Sequence, residues 1–234
     1  MKKFIIEDDF WQVFPDAKIG IIVCKGVDNT IKDNTKYQEL LNEASKKAQS
    51  YLTANVFSEN EVVKVWREAF QKFKSKKGAR CSVEALLKRI NKGEELNCIN
   101  PLVDIYNAIS LKYALPCGGE DIATFVGDIR LTKAKGDESF ITLGSDKSEP
   151  PLENEILYKD DAGAICRCWN WRESVRTMLT EKTKDAFLCI ELVDNTREIE
   201  HRDALNEMAN LVQNNLGGLC KITILDMNNR EIEI

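Results

Sequence analysis

The sequence predicts an α+β fold, in which helices and strands occupy largely separate parts of the chain. Between about residues 37 and 115, apolar residues recur at the three-to-four-residue spacing of amphipathic helices. After residue 115 the chain consists of short β-type runs separated by Gly, Asp and Pro-Pro turns. Residues 196–234 return to one helix and one strand. We therefore expect a helical region followed by a mostly antiparallel sheet region.

The first elements along the chain are one strand and four helices. The run 17–27 is rich in Ile and Val and predicts a buried strand, and the apolar stripe over 37–52 predicts a helix. Ser58 and Glu61 have the spacing of a capping box, which predicts that a second helix starts there. Further helices are expected from Ser82 to about Gly93 and from Pro101 to Tyr113, the last with proline in its first turn.

The second half of the chain is expected to be mainly strands. Period-two runs and turn residues predict strands near 128–134, 139–143, 155–159, 163–170 and 187–193. Helical spacing returns over 202–215, and the run 220–227 predicts a final strand. The segment "LPCGGEDI", with two adjacent glycines, is interpreted as a loop.

Composition limits the class of protein. The chain is 43% hydrophobic and 30% charged with mixed signs, and it has no apolar run of the ~18 residues that a membrane helix needs. Its start lacks a small-residue cleavage site, so we expect no signal peptide and a cytoplasmic location. The net charge of −5 argues against broad nucleic-acid binding. However, residues 61–92 carry ten Lys or Arg against three Glu, so one segment is basic.

Cysteine and histidine usage predicts no metal or cofactor. The eight cysteines are scattered, and several lie within apolar runs, so buried free thiols are expected rather than a disulfide framework. Cys166 and Cys168 lack a second pair or a nearby histidine at ligand spacing, and His201 is the one histidine of the sequence. The chain contains no phosphate loop, dinucleotide fingerprint or nucleophile–His–acid triad.

The stretch "AICRCWNWRESVRT", residues 164–177, concentrates aromatic and charged side chains. If it is a strand, its two faces hold Arg167, Trp169, Trp171 and Glu173 on one side and Cys166, Cys168, Asn170 and Arg172 on the other. Neither face is cleanly apolar, which favours a pocket with aromatic walls and polar anchors for a small amino-acid-like or nucleotide-like ligand. The alternative is a sheet edge at which Arg stacks on Trp by cation–π contact.

Two further groups of residues are candidates for function. Asp104 and Asn107 share one face of the helix over 101–113, and Asn107 either lines the same pocket or helps to tie the helix to a neighbouring loop. A basic cluster lies between the second and third helices and comprises Lys72, Lys74, Lys76, Lys77 and Arg80. The cluster either contacts RNA phosphates or forms the solvated, dipole-favoured end of a helix.

Three blocks of sequence resemble a known family. The blocks are "PLVDIYNAISL…LPCGGED", "GDIRLTKAKGDESFITLG" and "GAICRCWNWRESVRT". Together they resemble the B-three/B-four domain of the phenylalanyl-tRNA synthetase β subunit, and more closely its free-standing relatives. The resemblance implies a sandwich-like pair of sheets with helices against one layer. It also implies a single domain over 1–234, with an N-terminal strand and helix in 1–60, the best-matching core in 60–195, and a C-terminal helix and strand in 196–234.

The resemblance also implies a function. In the synthetase this domain hydrolyses tyrosine mistakenly attached to the phenylalanine tRNA, by positioning a water against the ester rather than by a protein nucleophile. The implied partner is therefore tRNA or the aminoacyl-tRNA 3′ end, and Glu173 falls at the position of the family's recognition Glu. Asn107, Arg167, Trp169, Asn170, Trp171 and Arg172 are the implied substrate-binding residues.

The sequence departs from the family pattern at two places. Gly118 stands where the synthetase has a histidine, and Trp171-Arg172 replaces a Gly-Gly pair before Glu173. Two classes of function therefore stay open. The first is an aminoacyl-tRNA deacylase that acts in trans, and the second is a non-catalytic module that binds an amino acid, a nucleotide or a tRNA 3′ end.

Overall fold

The computed structural model describes residues 2–234, which form ten strands and six helices. The strands are β1 Lys3–Ile6, β2 Lys18–Lys25, β3 Cys117–Asp121, β4 Ile129–Lys133, β5 Ile156–Asp160, β6 Gly163–Arg167, β7 Arg172–Glu173, β8 Ala186–Leu192, β9 Leu219–Leu225 and β10 Glu231–Glu233. The helices are α1 Asp8–Trp11, α2 Thr35–Ala48, α3 Glu61–Phe70, α4 Ser82–Asn91, α5 Pro101–Tyr113 and α6 Glu198–Leu216. Met1, the first residue of the predicted 1–60 segment, lies outside the described residues.

The strands form two sheets. The larger has the order β10-β1-β4-β5-β6-β7 and is antiparallel except where β1 runs parallel to β4. The smaller has the order β3-β8-β2-β9 and is antiparallel throughout. The predicted α+β class with mostly antiparallel sheets is confirmed.

The smaller sheet is covered on both faces, which explains why β2 and β8 are almost continuously apolar. On one face Phe187 of β8 packs against Phe4 of β1, with ring centres 5.1 Å apart, and joins the two sheets in one core. On the other face Leu188 and Ile190 pack with Leu102 of α5 and Met208 of α6. The arrangement is therefore a sandwich of two sheets with helices on one layer.

The helices begin close to where the sequence predicts. Helix α5 has Pro101 at its first position, and the side chain of Asn100 accepts a hydrogen bond from the Val103 N–H (3.2 Å). The predicted capping box at Ser58 and Glu61 is wrong, because α3 is preceded by Asn60 and residues 57–59 form a separate 3₁₀ turn. No helix within residues 2–234 is long and apolar enough to cross a membrane.

Two predicted strands differ from the structure. Residues 139–143 form no strand, although their backbone is used: the Ile141 carbonyl accepts the N–H of Val175 (2.8 Å). The strand predicted over 163–170 ends at Arg167, because Cys168 and Trp169 adopt φ of 46° and 62° and turn the chain into β7. Residues 117–121, interpreted as a loop, are an edge strand instead.

Gly119 explains how a glycine pair fits into strand β3. A Cβ atom at Gly119 would lie 2.6 Å from Leu188 Cδ2 and 2.9 Å from Leu179 Cδ1. A side chain at this position would therefore force the two leucine side chains to shift, and glycine lets β3 approach β8 and the segment after β7 without that rearrangement.

Candidate functional site

A cavity of roughly 190 Å³ lies between the two sheets, where their edge strands β3 and β7 come together. Its wall is largely apolar and is built from both sheets and the segment after β3; the wall residues are Phe125, Ile129, Ile165 and Phe187. An engineered apolar cavity of about 150 Å³ accepts a benzene molecule, so this cavity is large enough for an amino-acid side chain.

The turn between β6 and β7 delivers four consecutive residues to this cavity. Trp169, Asn170, Trp171 and Arg172 all contribute to its lining. Trp169 is fully buried and packs edge-to-face on Phe10 and Trp66, with ring centres 5.1 and 5.2 Å away. Its indole is therefore part of the hydrophobic core, and it fixes the turn that presents its neighbours.

Three carboxylates line the cavity. Glu120 lies on edge strand β3, Glu173 on edge strand β7, and Glu191 on β8. Burial raises the pKa of Glu173 to about 7, partly offset by the N–H of Gly119. The pKa of Glu120 is raised well above its usual range by burial and then by the nearby charge of Glu173. These two carboxyl groups therefore resist being ionised together.

Glu191 has its own set of partners. Its Oε1 accepts a hydrogen bond from the Tyr158 hydroxyl (2.8 Å), and its Oε2 accepts one from Asn170 Nδ2 (3.0 Å). The residue is 1% exposed, and burial raises its pKa to about 7 against the lowering effects of Tyr158, Asn170 and the nearby Trp169 indole. Within the described chain, Asn170 Oδ1 and Glu120 Oε2 are buried without a hydrogen-bond partner. The cavity thus holds unsatisfied polar atoms.

Gly118 leaves open space at the centre of this group. A Cβ atom at Gly118 would lie 3.6 Å from Cys189 Sγ and 3.8 Å from Glu173 Oε1, which is ordinary contact distance. A side chain at this position would therefore project toward Glu173. Because glycine occupies it, no side chain at residue 118 can bind or exchange a proton with a ligand beside Glu173.

The cavity does not offer a reactive thiol. Cys117, Cys166 and Cys189 line it, and burial raises the pKa of each thiol well above its usual range. A neutral thiol is a poor nucleophile. Across residues 2–234, no group of His, Cys, Asp and Glu side chains has the arrangement of a metal site.

The mouth of the cavity is aromatic and cationic. Two cations lie near the Trp171 indole, with the Arg172 guanidinium carbon 5.2 Å and Lys76 Nζ 5.9 Å from the centre of one of its rings. Arg172 is exposed, and Lys76 also forms an ion pair with Glu149. We refer to Lys76, Trp171 and Arg172 as the cationic rim.

The basic cluster of residues 72–80 lies next to the rim. The N–H of Lys76 donates to Cys168 Sγ (3.4 Å), and the N–H of Ser82 donates to the Asn170 carbonyl (3.1 Å). These bonds attach the loop between α3 and α4 to the turn that lines the cavity. The exposed members of the cluster are Lys72, Lys74 and Lys77, and Arg80 is half-buried.

Two predicted pocket residues lie elsewhere, which corrects the expected convergence. Arg167 is 2% exposed, pairs with both oxygens of Glu155 (3.1 and 2.9 Å), and donates to the Glu149 carbonyl (2.8 Å). Asn107 is half-buried on α5 and does not line the cavity. Its neighbour Asp104 accepts the N–H of Ile99 (2.8 Å), which ties the start of α5 to the preceding loop.

Sequence reasoning missed Glu191, Glu120 and Tyr158. Glu191 could have been identified from strand alternation. Phe187, Cys189 and Glu191 occupy alternate positions of an apolar strand and lie on the same face, so an acid stands where a core residue is expected. Glu120 had a weak signal, because the two glycines before it permit close ligand approach but indicate an ordinary loop equally well.

Comparison with known proteins places these features in a family. The model of the B3/4 domain matches residues 65–213. Among solved structures, the chain is similar to an N-terminal fragment of the phenylalanyl-tRNA synthetase beta-subunit from Pyrococcus horikoshii. The TM-score is 0.49 and the identity 12%, over 93% of this chain and 49% of the fragment, so the chain spans about half of that fragment's length. No curated protein matches the sequence.

Proposed function

The chain belongs to the B3/4 domain family, and from that premise we propose that it acts on aminoacyl-tRNA, hydrolysing the ester of a mischarged tRNA in trans. The observation that carries the proposal is the polarity of one cavity: an apolar wall, a carboxylate-lined interior and a cationic, aromatic mouth. Each part matches one part of an aminoacylated 3′ end.

The aminoacyl group enters the cavity. Its side chain contacts the apolar wall at Phe125 and Phe187, and its α-ammonium pairs with the carboxylates Glu120 and Glu173. An ammonium supplies the positive charge that these two acids lack. Binding therefore favours a free α-amino group over an acylated one.

The nucleotide part stays at the mouth. Trp171 offers a flat face for stacking of the terminal adenine, and Arg172 and Lys76 lie beside it for phosphate contact. The basic cluster, from Lys72 to Arg80, extends this contact along the acceptor strand without reading its sequence.

Hydrolysis uses a positioned water. The water oxygen attacks the ester carbonyl, the bond to the ribose oxygen breaks, and the ribose hydroxyl leaves with a proton. Glu173 orients the water by accepting a hydrogen bond from it, and the proton that the ribose oxygen gains comes from that water, a role suited to a carboxyl group whose pKa is about 7. Because the cavity cysteines are protonated, a covalent intermediate on sulfur plays no part.

A non-catalytic binding module for an amino acid, a nucleotide or a tRNA 3′ end is the second candidate. Gly118 favours it, since the position nearest Glu173 carries no side chain that could assist proton transfer. In both functions, we propose that residues 60–195 carry the site and that 1–60 and 196–234 complete its scaffold within a single domain.

The test is a deacylation screen against a panel of mischarged tRNAs, with protein in excess. We expect rapid hydrolysis of at least one ester, loss of that activity in Glu173→Gln, and unchanged activity in Glu181→Gln, a matched variant of an exposed acid. If every ester survives while tRNA still binds, the binding module replaces the deacylase. If no charged tRNA binds, the deacylase and the tRNA-binding form of the module are wrong, and titration with free amino acids and nucleotides tests the remaining forms of the module.

A further inference from the structure

The three cavity carboxylates form two separate acidic ends. Glu120 and Glu173 lie on the two edge strands and share one electrostatic environment, because the charge of Glu173 raises the pKa of Glu120. Glu191 is held apart by Tyr158 and Asn170, and its pKa responds to burial and to its own hydrogen bonds. We refer to these as the paired end and the Glu191 end.

Strand register gives the distance between the ends. Glu120 lies opposite Phe187 of β8, and Glu191 follows four residues later on the same strand. At about 3.4 Å per residue, the backbone of Glu120 is roughly 14 Å from that of Glu191. The Glu173 carboxylate lies nearer to Glu191, because its Oε1 is 3.8 Å from where a Cβ of Gly118 would lie, and Gly118 is opposite Cys189, two residues before Glu191 on β8. Along the strand this is a distance of about 7 Å, which a short aliphatic chain spans.

Neither end has a basic partner in the protein. Among the described residues lining the cavity, Arg172 is the one Lys or Arg, and it lies exposed at the mouth. The charge of Arg176 lowers the pKa of Glu120, but the Arg176 guanidinium donates to both oxygens of Asp160 (2.9 and 2.7 Å) and does not line the cavity. An α-ammonium at the paired end therefore leaves Glu191 without a cation.

We propose that the aminoacyl group taken by this cavity has a side chain ending in an amine, with the α-ammonium at Glu120 and Glu173 and the side-chain ammonium at Glu191. The apolar wall between the ends, Phe125, Ile165 and Phe187, contacts the methylene stem. Lysine and ornithine have this chemistry. The statement that the ligand is an ester rests on the proposed function. The preference for an amine at the end of the side chain does not depend on it.

The preference is measured with amino-acid amides, which carry no ester to hydrolyse. Isothermal titration compares lysinamide with norleucinamide, which has a similar stem and no amine, and with tyrosinamide, whose side chain ends in a hydroxyl. We expect lysinamide to bind about tenfold or more tightly than either, the range expected for a charged hydrogen bond. Glu191→Gln should reduce the preference to within about twofold, and Glu181→Gln should keep it.

Equal binding of norleucinamide, tighter binding of tyrosinamide, or no binding of any amide to the wild-type protein overturns the inference without use of a variant. Retention of the preference in folded Glu191→Gln also overturns it. The tRNA screen separates this result from the proposed function. If only esters of apolar amino acids are hydrolysed, the protein is a deacylase and the amine preference is wrong. If lysinamide binds preferentially but no ester is hydrolysed, the amine preference holds and the deacylase is wrong.

Discussion

Two groups of buried charged side chains meet at the hairpin of β6 and β7, and they differ in whether each charge has a partner. In one group, Glu155 accepts hydrogen bonds from Arg167 and from the N–H groups of Leu152 and Cys168. Burial alone would raise the pKa of Glu155, but these hydrogen bonds outweigh it and the pKa is lowered. In the other group, Glu120, Glu173 and Glu191 have raised pKa values and no cation within the cavity's described interior.

The difference separates scaffold from site. Register places Arg167 directly opposite Arg172, yet the first is locked inside the protein and the second lies exposed at the rim. The fully paired charges hold the turn in place. The unpaired carboxylates retain a desolvation cost in free energy, which a cationic ligand can offset. Four predictions test this division, from the largest expected effect to the smallest.

Removing Arg167 should cost the most stability. Arg167→Met leaves Glu155 buried without its cation, and breaking a buried pair in this way costs about 3–5 kcal/mol. Urea unfolding measures the loss. The matched control is Arg172→Met, an exposed arginine whose replacement should change stability by less than about 0.5 kcal/mol. Equal effects of the two variants would contradict the assignment of Arg167 to the scaffold.

Glu173→Gln should lower the deacylation rate by a factor of about 10² without destabilising the protein. The amide keeps the size of the side chain but loses its charge. Single-turnover hydrolysis with excess protein shows whether rate or affinity falls. A loss of rate assigns the carboxylate to the attacking water, and a loss of affinity alone assigns it to the α-ammonium. Wild-type rates in both Gln and Ala variants would make Glu173 structural.

Glu191 should make stability fall as pH rises. Its pKa is about 7 in the folded protein against an ordinary 4.5, so the folded state binds the proton more tightly than the unfolded state. The contribution is fully present below about pH 4.5 and is lost by about pH 7. Glu191→Gln should flatten this part of the profile, with an effect on the order of 1–3 kcal/mol.

The amide at position 191 fits the same partners, because Asn170 can turn its free Oδ1 toward the new amide. Urea unfolding of the wild type and Glu191→Gln at pH 5 and pH 8 checks the prediction. The other two cavity acids contribute with the same sign and are unchanged in both proteins. If the stability of Glu191→Gln falls with rising pH as steeply as that of the wild type, protonation of Glu191 does not contribute to the pH dependence of folding.

The basic cluster should contribute a salt-dependent and sequence-indifferent part of tRNA affinity. Reversing Lys74, Lys77 and Arg80 to Glu should weaken binding and reduce the slope of log K against log salt by about one per lost phosphate contact. Reversal of Lys46, Lys47 and Lys182, which are exposed elsewhere, is the control. A slope that is the same for both triple variants would assign the cluster to solubility.

The parts of the fold that were predictable from sequence are those set by local pattern. The apolar run of β2 and the Pro101 start of α5 carry their own signals. The end of β6 does not, because non-glycine residues with positive φ at Cys168 and Trp169 are held there by tertiary packing. Strands β1 and β10 are four and three residues long and exist through their pairing with each other and with β4.

The sequence singled out residues that line the cavity and others that do not, while their roles stay predictions. Trp169, Asn170, Trp171, Arg172 and Glu173 line it, and the concentration of aromatic and charged residues had drawn attention to this stretch. The position of Arg167 depended on Glu155, a partner twelve residues earlier whose role appears only once β5 and β6 pair. The prediction that Asn107 lines the pocket was wrong for a similar reason. Helical spacing places Asn107 and Asp104 on one face of α5, but it does not determine which part of the protein packs against that face.

The position of β1 in the larger sheet has a consequence for synthesis on the ribosome. Its Phe4 pairs with Ile129 on one side and with Ile232 on the other, so this first strand must wait for segments made much later. Strand β2 likewise waits for β8 and β9. Such long-range pairing makes folding slow, since distant segments must meet before their contacts stabilise them. The cavity also needs β8, which carries Glu191, so a nascent chain has no site until that strand has emerged.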